Sequence, residues 1–200
     1  MPFLYQCREY VMTTEILNEL SPLSSSEKNP EPWHVLIKAV NTTDIIGTVL
    51  RLHLVLEKTI ETYVCIITNQ KNLFGFSSVD NEKFIIECST KLKMAKAIGL
   101  PSKLYKASSK INKIRNEIAH ITDVTISESD LKSALAHLTQ YLAEQDKDIL
   151  KYGLELREFD GTILYNKTFG DKDISSKDKF ILIVSTIVNE IHHLMITQSH

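Results

Sequence analysis

The amino-acid sequence predicts an all-α fold, a helical bundle with a small irregular or hairpin excursion around residues 153–174. Apolar residues recur at three- and four-residue steps through several long segments, which is the helical period. Capping and stop residues bound these segments, and the helical period is lost over 153–174. With 200 residues, 43% of them hydrophobic, the chain is long enough to bury a core.

The N-terminal part is predicted to consist of a helix and a linker. A helical stretch covers residues 5–20, and residues 21–32 contain three prolines and four serines, which favours a loop. We therefore divide the chain into this N-terminal unit (1–32), a helical bundle (33–150) and a C-terminal excursion with a helix packed on the bundle (151–200).

Two central helices are predicted next. Thr42 or Thr43 can cap the first, whose apolar positions recur as far as Ile67. The second covers residues 81–98. It ends at Gly99, because glycine readily takes the positive φ of a helix C-terminus.

The third helix has one apolar face and one basic face. Ser102 can cap it, since serine is a favoured N-terminal residue. The apolar positions are Leu104, Ala107, Ile111, Ile114 and Ile118. The basic positions are Lys103, Lys106, Lys110 and Lys113. Such a helix packs on one side and meets solvent or a ligand on the other.

The last elements are a fourth helix, the excursion and a final helix. Ser127 can cap a helix over 128–150 that carries leucines at helical steps. Between residues 153 and 174, Asp160-Gly161 separates short runs rich in aromatic and β-branched residues, which is compatible with a hairpin. Ser175 or Ser176 then caps a helix over 177–195.

The sequence predicts a cytoplasmic, soluble protein without metal or other cofactor. The N-terminus lacks the basic and apolar regions of a signal peptide. Cys7, Cys65 and Cys88 are odd in number and have no CxxC spacing, which disfavours disulfides and a structural zinc site, so Cys65 and Cys88 are expected in the core. The pair His192-His193 lacks a third ligand at useful spacing and is predicted to be a solvated helix end.

Positive charge is concentrated in one segment. Residues 89–116 contain eight basic residues and no acidic one, although the whole chain has 23 basic and 25 acidic residues. A local basic patch is typical of proteins that bind a polyanion, so the four lysines of the third helix are the predicted RNA-binding residues. The alternative interpretation is a solvated lysine face without a ligand.

Arg115, Asn116 and His120 form the candidate catalytic group at the end of the third helix. On a helix, Asn116 and His120 share a face, and the long side chain of Arg115 can reach the same anion. A histidine can take the proton of a ribose 2′-hydroxyl, and an arginine can neutralise phosphoryl oxygens. These groups suffice for cleavage of RNA without a metal, whereas DNA lacks the 2′-hydroxyl.

The run Arg115-Asn116-Glu117-Ile118-Ala119-His120 resembles the Arg-polar-x-x-x-His motif of HEPN domains. These small helical modules include metal-independent ribonucleases of toxin–antitoxin and antiviral systems. With the preceding Ala-rich stretch and the Gly99-Leu100 turn, the run also resembles the mannitol-repressor-like branch of bacterial helical proteins. The resemblance covers about residues 42–145, within the bundle assigned to 33–150.

The resemblance implies an activity and an assembly. Arg115 and His120 would be the catalytic pair, and Asn116 would orient or assist them. Such domains commonly form homodimers in which two copies of the motif face one cleft. The implied partners are therefore a second copy of the chain, an RNA substrate, and an antitoxin or regulatory protein.

A second function stays open beside the ribonuclease. Many HEPN proteins and members of the mannitol-repressor-like branch act as binding or regulatory modules, so the alternative is a catalytically silent dimerisation module that regulates a partner protein. In that case Arg115 and Asn116 hydrogen-bond to backbone carbonyls at the helix end or form a dimer contact. His120 then favours the negative end of the helix dipole.

His53 and Glu57 are secondary candidates on the first central helix. They lie four residues apart among leucines, so they either face the interior and hydrogen-bond to the motif or form a surface ion pair. The neighbouring Arg51 and the core stripe of Leu52 and Leu56 favour the surface ion pair.

Overall fold

A computed structural model describes residues 4–7, 10–13, 38–70, 73–74, 86–119, 125–157 and 162–198. Within these ranges the long helices are α1 (Ile45–Ile67), α2 (Cys88–Ala97), α3 (Ser102–Ile118), α4 (Glu128–Ala143) and α5 (Ser176–Gln198). Residues 38–41 and the 3-10 turn Ile149–Lys151 are shorter helical segments. The strands are β1 (Leu4–Cys7), β2 (Tyr10–Thr13), β3 (Gly153–Arg157) and β4 (Ile163–Thr168). The predicted helical fold and the hairpin within 153–174 are therefore confirmed.

Helix α5 is the central helix of the bundle. It packs against α1, α3 and α4, while α1 and α3 both contact α2. Each helix contributes a fully buried side chain, for example Leu52, Leu92, Ile111, Leu138 and Phe180. Helix α5 is long and apolar enough to cross a membrane, but 72% of its apolar window is buried inside the protein, which is typical of a core helix.

The C-terminal hairpin belongs to a four-stranded antiparallel sheet with the order β2-β1-β3-β4. Gly153 of β3 pairs with Thr168 of β4, and Gln6 of β1 pairs with Glu155 of β3. A side chain at Gly153 would place its Cβ 2.6 Å from the carbonyl oxygen of Lys167, so the close pairing at this end of the hairpin requires glycine.

The helix predicted over residues 5–20 is wrong, because residues 4–7 and 10–13 are strands β1 and β2. Aromatic and β-branched residues such as Tyr10, Val11 and Thr13 favour strands. The decisive factor is the pairing of β1 with β3, which lies far away in the sequence. Residues 14–37, including the linker predicted over 21–32, lie outside the described residues.

The capping signals correctly mark the starts of α4 and α5. Ser127 Oγ accepts a hydrogen bond from the Asp130 backbone N–H at 3.3 Å, and Ser175 Oγ accepts one from the Asp178 N–H at 3.0 Å. Gly99, which follows α2, has the expected positive φ of 118°.

The caps predicted for α1 and α3 are wrong by one or two residues. Asp44, not Thr42 or Thr43, precedes α1. The hydroxyl of Thr42 instead accepts a hydrogen bond from the Asp44 N–H at 3.1 Å, a local turn that competes with capping. Ser102 is the first residue of α3 rather than its cap, because the chain is still extended at the preceding proline.

Helices α2 and α4 are shorter than predicted. Residues 86–87 are not helical, so α2 begins at Cys88, and residues 81–85 lie outside the described ranges. Helix α4 ends at Ala143 instead of continuing to residue 150. Asp146 takes a positive φ of 57°, which turns the chain out of the helix.

His192 differs from the solvated helix end that the sequence predicted, whereas His193 is exposed as expected. The Nδ1 atom of His192 is buried and has no hydrogen-bond partner among the described residues. Burial favours the neutral imidazole and lowers the pKa of His192 to about 4. His192 is therefore uncharged in the folded protein at neutral pH.

We expect His192 to make the folded state sensitive to acid. Its pKa is about 4 in the folded protein, against 6.5 for an ordinary histidine, so the unfolded chain binds the proton first as the pH falls. Stability is then lost between about pH 6.5 and pH 4. Replacement of His192 by leucine should reduce the loss between pH 7 and pH 4.5 by roughly 2 kcal/mol, measured by urea unfolding.

The matched control is His193→Leu, which changes the exposed neighbour on the same helix. This variant should lose stability on acidification as the wild type does. If His192→Leu and His193→Leu respond equally to acid, the buried imidazole is not the origin of the effect.

Candidate functional site

Arg115 and Asn116 lie in the last turn of α3, at the edge of the bundle. Helix α3 ends at Ile118, and the backbone N–H of Ala119 donates to the carbonyl oxygen of Arg115 at 3.1 Å. The Arg115 side chain is half-buried and its Nη1 donates a hydrogen bond to Asn116 Oδ1 at 3.0 Å. Asn116 is exposed, so the two motif residues are joined at the protein surface.

His120, the third residue of the motif, lies outside the described residues, as do residues 121–124. The convergence of His120 with Arg115 and Asn116 therefore stays a prediction from the sequence. Helix α3 ends at Ile118, two residues before His120 in the sequence.

His53 is buried beside the motif, and the surface ion pair favoured from the sequence is wrong. The residue is 2% exposed, and its Nε2 atom lies 2.9 Å from Asn112 Oδ1 on α3. Asn112 is one helical turn before Asn116. A signal for this burial exists in the sequence, because position 53 is one turn from both Val49 and Leu56 and so widens the apolar stripe.

His53 is neutral in this environment. Burial lowers its pKa, and the hydrogen bond to Asn112 and the charge of Glu57 oppose that effect without overcoming it. The nearby cations Arg115 and Lys91 lower the pKa further. The charge of Arg115 therefore reaches His53, which places Arg115 and the buried histidine in one electrostatic environment.

Glu57 faces His53 on one side and Lys91 on the other. Its Oε2 atom lies 3.9 Å from His53 Nδ1, and its Oε1 atom lies 2.5 Å from Lys91 Nζ. Lys91 Nζ also lies 2.6 Å from Glu61 Oε1. No pattern in the sequence indicates this pairing, because Lys91 comes from α2 and its two carboxylate partners come from α1.

Lys91 remains protonated although its side chain is almost buried. Burial alone lowers its pKa, but the hydrogen bonds to Glu57 and Glu61 more than compensate and the pKa is raised. The three charges thus stabilise one another at the contact between α1 and α2.

Cys88, the first residue of α2, completes this group. It is 8% exposed, in agreement with the expected core position. Burial raises the pKa of its thiol to about 12, helped by Glu57 and opposed by Lys91 and Arg115. The ligand atoms of His53, Glu57 and Cys88 all lie within 4.8 Å of one another. We call His53, Glu57, Glu61, Cys88 and Lys91 the buried polar cluster.

The predicted RNA-binding lysines of α3 are partly neutralised by acidic residues. Lys113 Nζ lies 2.8 Å from Asp130 Oδ2 and 3.2 Å from Glu117, and Lys110 Nζ lies 3.6 Å from Asp130 Oδ1. Lys103 pairs with Glu144. The sequence pattern of α3 does not indicate Asp130 or Glu144 as partners, because helix α4 and the turn after it bring them to this face.

Lys106 differs from the other three lysines. It is exposed and forms no ion pair within the described part of the chain. Burial lowers the pKa of His137 on α4, and the charges of Lys106, Lys110 and Lys103 lower it further. The positive field of this face therefore persists between α3 and α4 despite the ion pairs.

Comparison with known proteins adds no family assignment to this geometry. Neither a protein-family model, nor a curated protein, nor a solved structure matches the chain. The resemblance to HEPN domains therefore stays a prediction from the motif and its position in a helical bundle.

Proposed function

We propose that this protein is a metal-independent endoribonuclease of the toxin–antitoxin or antiviral defence type, with Arg115 and His120 as its catalytic pair. The observation that carries the proposal is the position of Arg115 in the last turn of α3, half-buried and hydrogen-bonded to the exposed Asn116. An arginine carries five N–H donors, so this single hydrogen bond leaves donors for a phosphate.

The proposed reaction divides the chemistry between two side chains. His120 takes the proton from a ribose 2′-hydroxyl, and the 2′-oxygen attacks the adjacent phosphorus. The bond from phosphorus to the 5′-oxygen breaks, and this oxygen receives a proton. The products are a 2′,3′-cyclic phosphate and a 5′-hydroxyl. Arg115 neutralises the phosphoryl oxygens, and its hydrogen bond to Asn116 limits the directions that the guanidinium can take.

A homodimer is part of the proposal, as the family resemblance implies. Two motifs at one cleft would provide a second histidine, so that one imidazole accepts the 2′-proton and the other protonates the leaving oxygen. Lys106 and the solvent-accessible parts of the paired lysines would contact the phosphates on either side of the cleaved bond.

The second candidate is a catalytically silent interaction module that regulates a partner protein. The ion pairs favour it, because Lys103, Lys110 and Lys113 already have acidic partners in the chain. The hydrogen bond between Arg115 and Asn116 also fits a role at the helix end. Under this interpretation the protein is a dimer that leaves RNA intact.

The test is incubation of the purified protein with total RNA in excess EDTA. Under the ribonuclease proposal, the RNA is cleaved and the fragments carry 2′,3′-cyclic phosphate ends. A short RNA with 2′-deoxy substitution at the cleaved nucleotide should resist cleavage. A His120→Ala preparation purified in parallel controls for contaminating ribonucleases. Intact RNA beside a folded dimer, in a range of RNA substrates, supports the regulatory module instead.

A further inference from the structure

We propose that His53, Glu57 and Cys88 form a binding site for a zinc ion, tying α1 to α2 beside Arg115. The three residues offer an imidazole nitrogen, a carboxylate oxygen and a thiol sulfur within 4.8 Å of one another. Zinc binds these three ligand types, and three protein ligands plus one water give its tetrahedral coordination. The site does not depend on the proposed ribonuclease activity, which requires no metal.

The spacing of the ligands suits the helices that carry them. His53 and Glu57 are four residues apart on α1, so both project from one face. Cys88 approaches the same point from the start of α2. The sequence expectation of no zinc site rested on cysteine spacing, which detects ligands on one short segment and not a site assembled between two helices.

The hydrogen bond of His53 fixes the ring in the form that a metal needs. Nε2 contacts the carbonyl oxygen Oδ1 of Asn112, which can only accept, so Nε2 carries the proton. The lone pair of Nδ1 then points toward Glu57 Oε2, 3.9 Å away and beyond hydrogen-bond distance. Two acceptors thus face each other across a gap that a cation can occupy. A hydrogen-bonded second nitrogen is the usual support of a metal-ligating histidine.

The surrounding charges accommodate a divalent cation. Glu57 uses Oε1 to bind Lys91, so Oε2 is left for the metal. The Glu57 carboxylate and a Cys88 thiolate would supply two negative charges directly to the ion. The cations nearby are Lys91, which contacts Glu57 and Glu61, Lys58, which contacts Glu61 at 3.3 Å, and Arg115.

Binding must release a proton from Cys88. A cysteine is ordinarily a protonated thiol at neutral pH, and zinc binds the thiolate. Coordination replaces that proton by the zinc–sulfur bond and transfers the proton to the buffer. Zinc titrations in two buffers with different heats of ionisation should therefore show about one proton released for each ion bound.

Cobalt(II) provides the direct test, because it replaces zinc and reports its ligands by absorption. Untagged, reduced, chelator-treated full-length protein is titrated with Co²⁺. The expected result is a thiolate-to-cobalt charge-transfer band with tetrahedral visible bands, saturating at one ion for each chain and removed by Zn²⁺. The Cys88→Ser variant should lose the charge-transfer band, and Glu57→Gln should bind more weakly.

The other cysteines provide matched controls. The Cys7→Ser/Cys65→Ser double variant retains Cys88 as its single thiol and should keep the full band. If Cys88→Ser does not fold, this double variant still shows whether Cys88 is the thiol that binds cobalt. Zn²⁺ should raise the Tm of the double variant and of the wild type, because the ion binds the folded state. The proposal is overturned if the wild type gives no charge-transfer band, or if the double variant loses it.

Discussion

Replacement of Arg115 by alanine is expected to lower the rate of RNA cleavage by roughly a thousandfold, because the variant loses the group that neutralises the phosphoryl oxygens. This prediction rests on the proposed ribonuclease activity. The variant loses hydrogen bonds as well as a charge, since the planar donors of a guanidinium can bind two phosphate oxygens at once. Arg115→Lys keeps a positive charge at the same position but not this geometry, so it should recover only a small part of the rate. Single-turnover cleavage of a short RNA in EDTA measures both variants.

A loss of activity in Arg115→Ala must be distinguished from a loss of the folded structure. Arg115 is half-buried and its charge reaches His53 and Cys88, so its loss also changes the buried polar cluster. Arg115→Lys preserves that charge and serves as the control for it. Both variants should elute as the wild type does in size-exclusion chromatography and should unfold cooperatively. A folded Arg115→Ala variant that cleaves RNA at the wild-type rate would remove Arg115 from the mechanism and favour the regulatory module.

Much of the bundle could be predicted because its signals are local. The apolar stripe of α3, at Leu104, Ile111 and Ile118, follows directly from the helical period and is buried as predicted. Ser127 and Ser175 mark helix starts through hydrogen bonds to residues three positions later. Such contacts depend on the neighbouring sequence alone, so one segment is enough to reveal them.

The strands β1 and β2 could not be predicted in the same way. Each has four residues, which is too short for a period to separate a strand from a helix. Their conformation depends on the edge of β3, which supplies the hydrogen-bonding partner of β1. A strand pairing between segments this far apart in the sequence cannot be recognised from either segment alone.

In the candidate site, too, local features can be predicted from the sequence, whereas contacts between distant segments cannot. The basic face of α3 and its own partner Glu117 are visible in the sequence. The other two acidic partners, Asp130 and Glu144, are not, because they come from another part of the chain. The sequence indicates His53 as a candidate, but the neighbouring Arg51 favours a surface ion pair over the interior position that Val49 and Leu56 also support, and the structure buries the residue. The helix face that another helix covers is set by packing, and here α3 covers His53 through Asn112.

Replacement of Lys91 by methionine is expected to destabilise the protein by about 3 kcal/mol, because two partly buried carboxylates lose their common cation and only Glu61 keeps another, Lys58. The side chain of Lys91 is 10% exposed, and those of Glu57 and Glu61 are 22% and 15% exposed. Methionine retains the length and packing of the lysine stem, so the loss reports the charge rather than a cavity. Urea unfolding of metal-free protein at neutral pH gives the free energy of unfolding.

Lys93→Met is the matched control, since Lys93 lies on the same helix and is exposed. It should change the free energy of unfolding by no more than about 0.5 kcal/mol. The triple variant Lys91→Met/Glu57→Gln/Glu61→Gln removes all three charges together and should recover most of the stability, because breaking a buried ion pair costs more than replacing it. If the triple variant is less stable than Lys91→Met, the two carboxylates stabilise the fold through contacts other than Lys91. If Lys91→Met and Lys93→Met are equally stable, the cluster contributes nothing to the contact between α1 and α2.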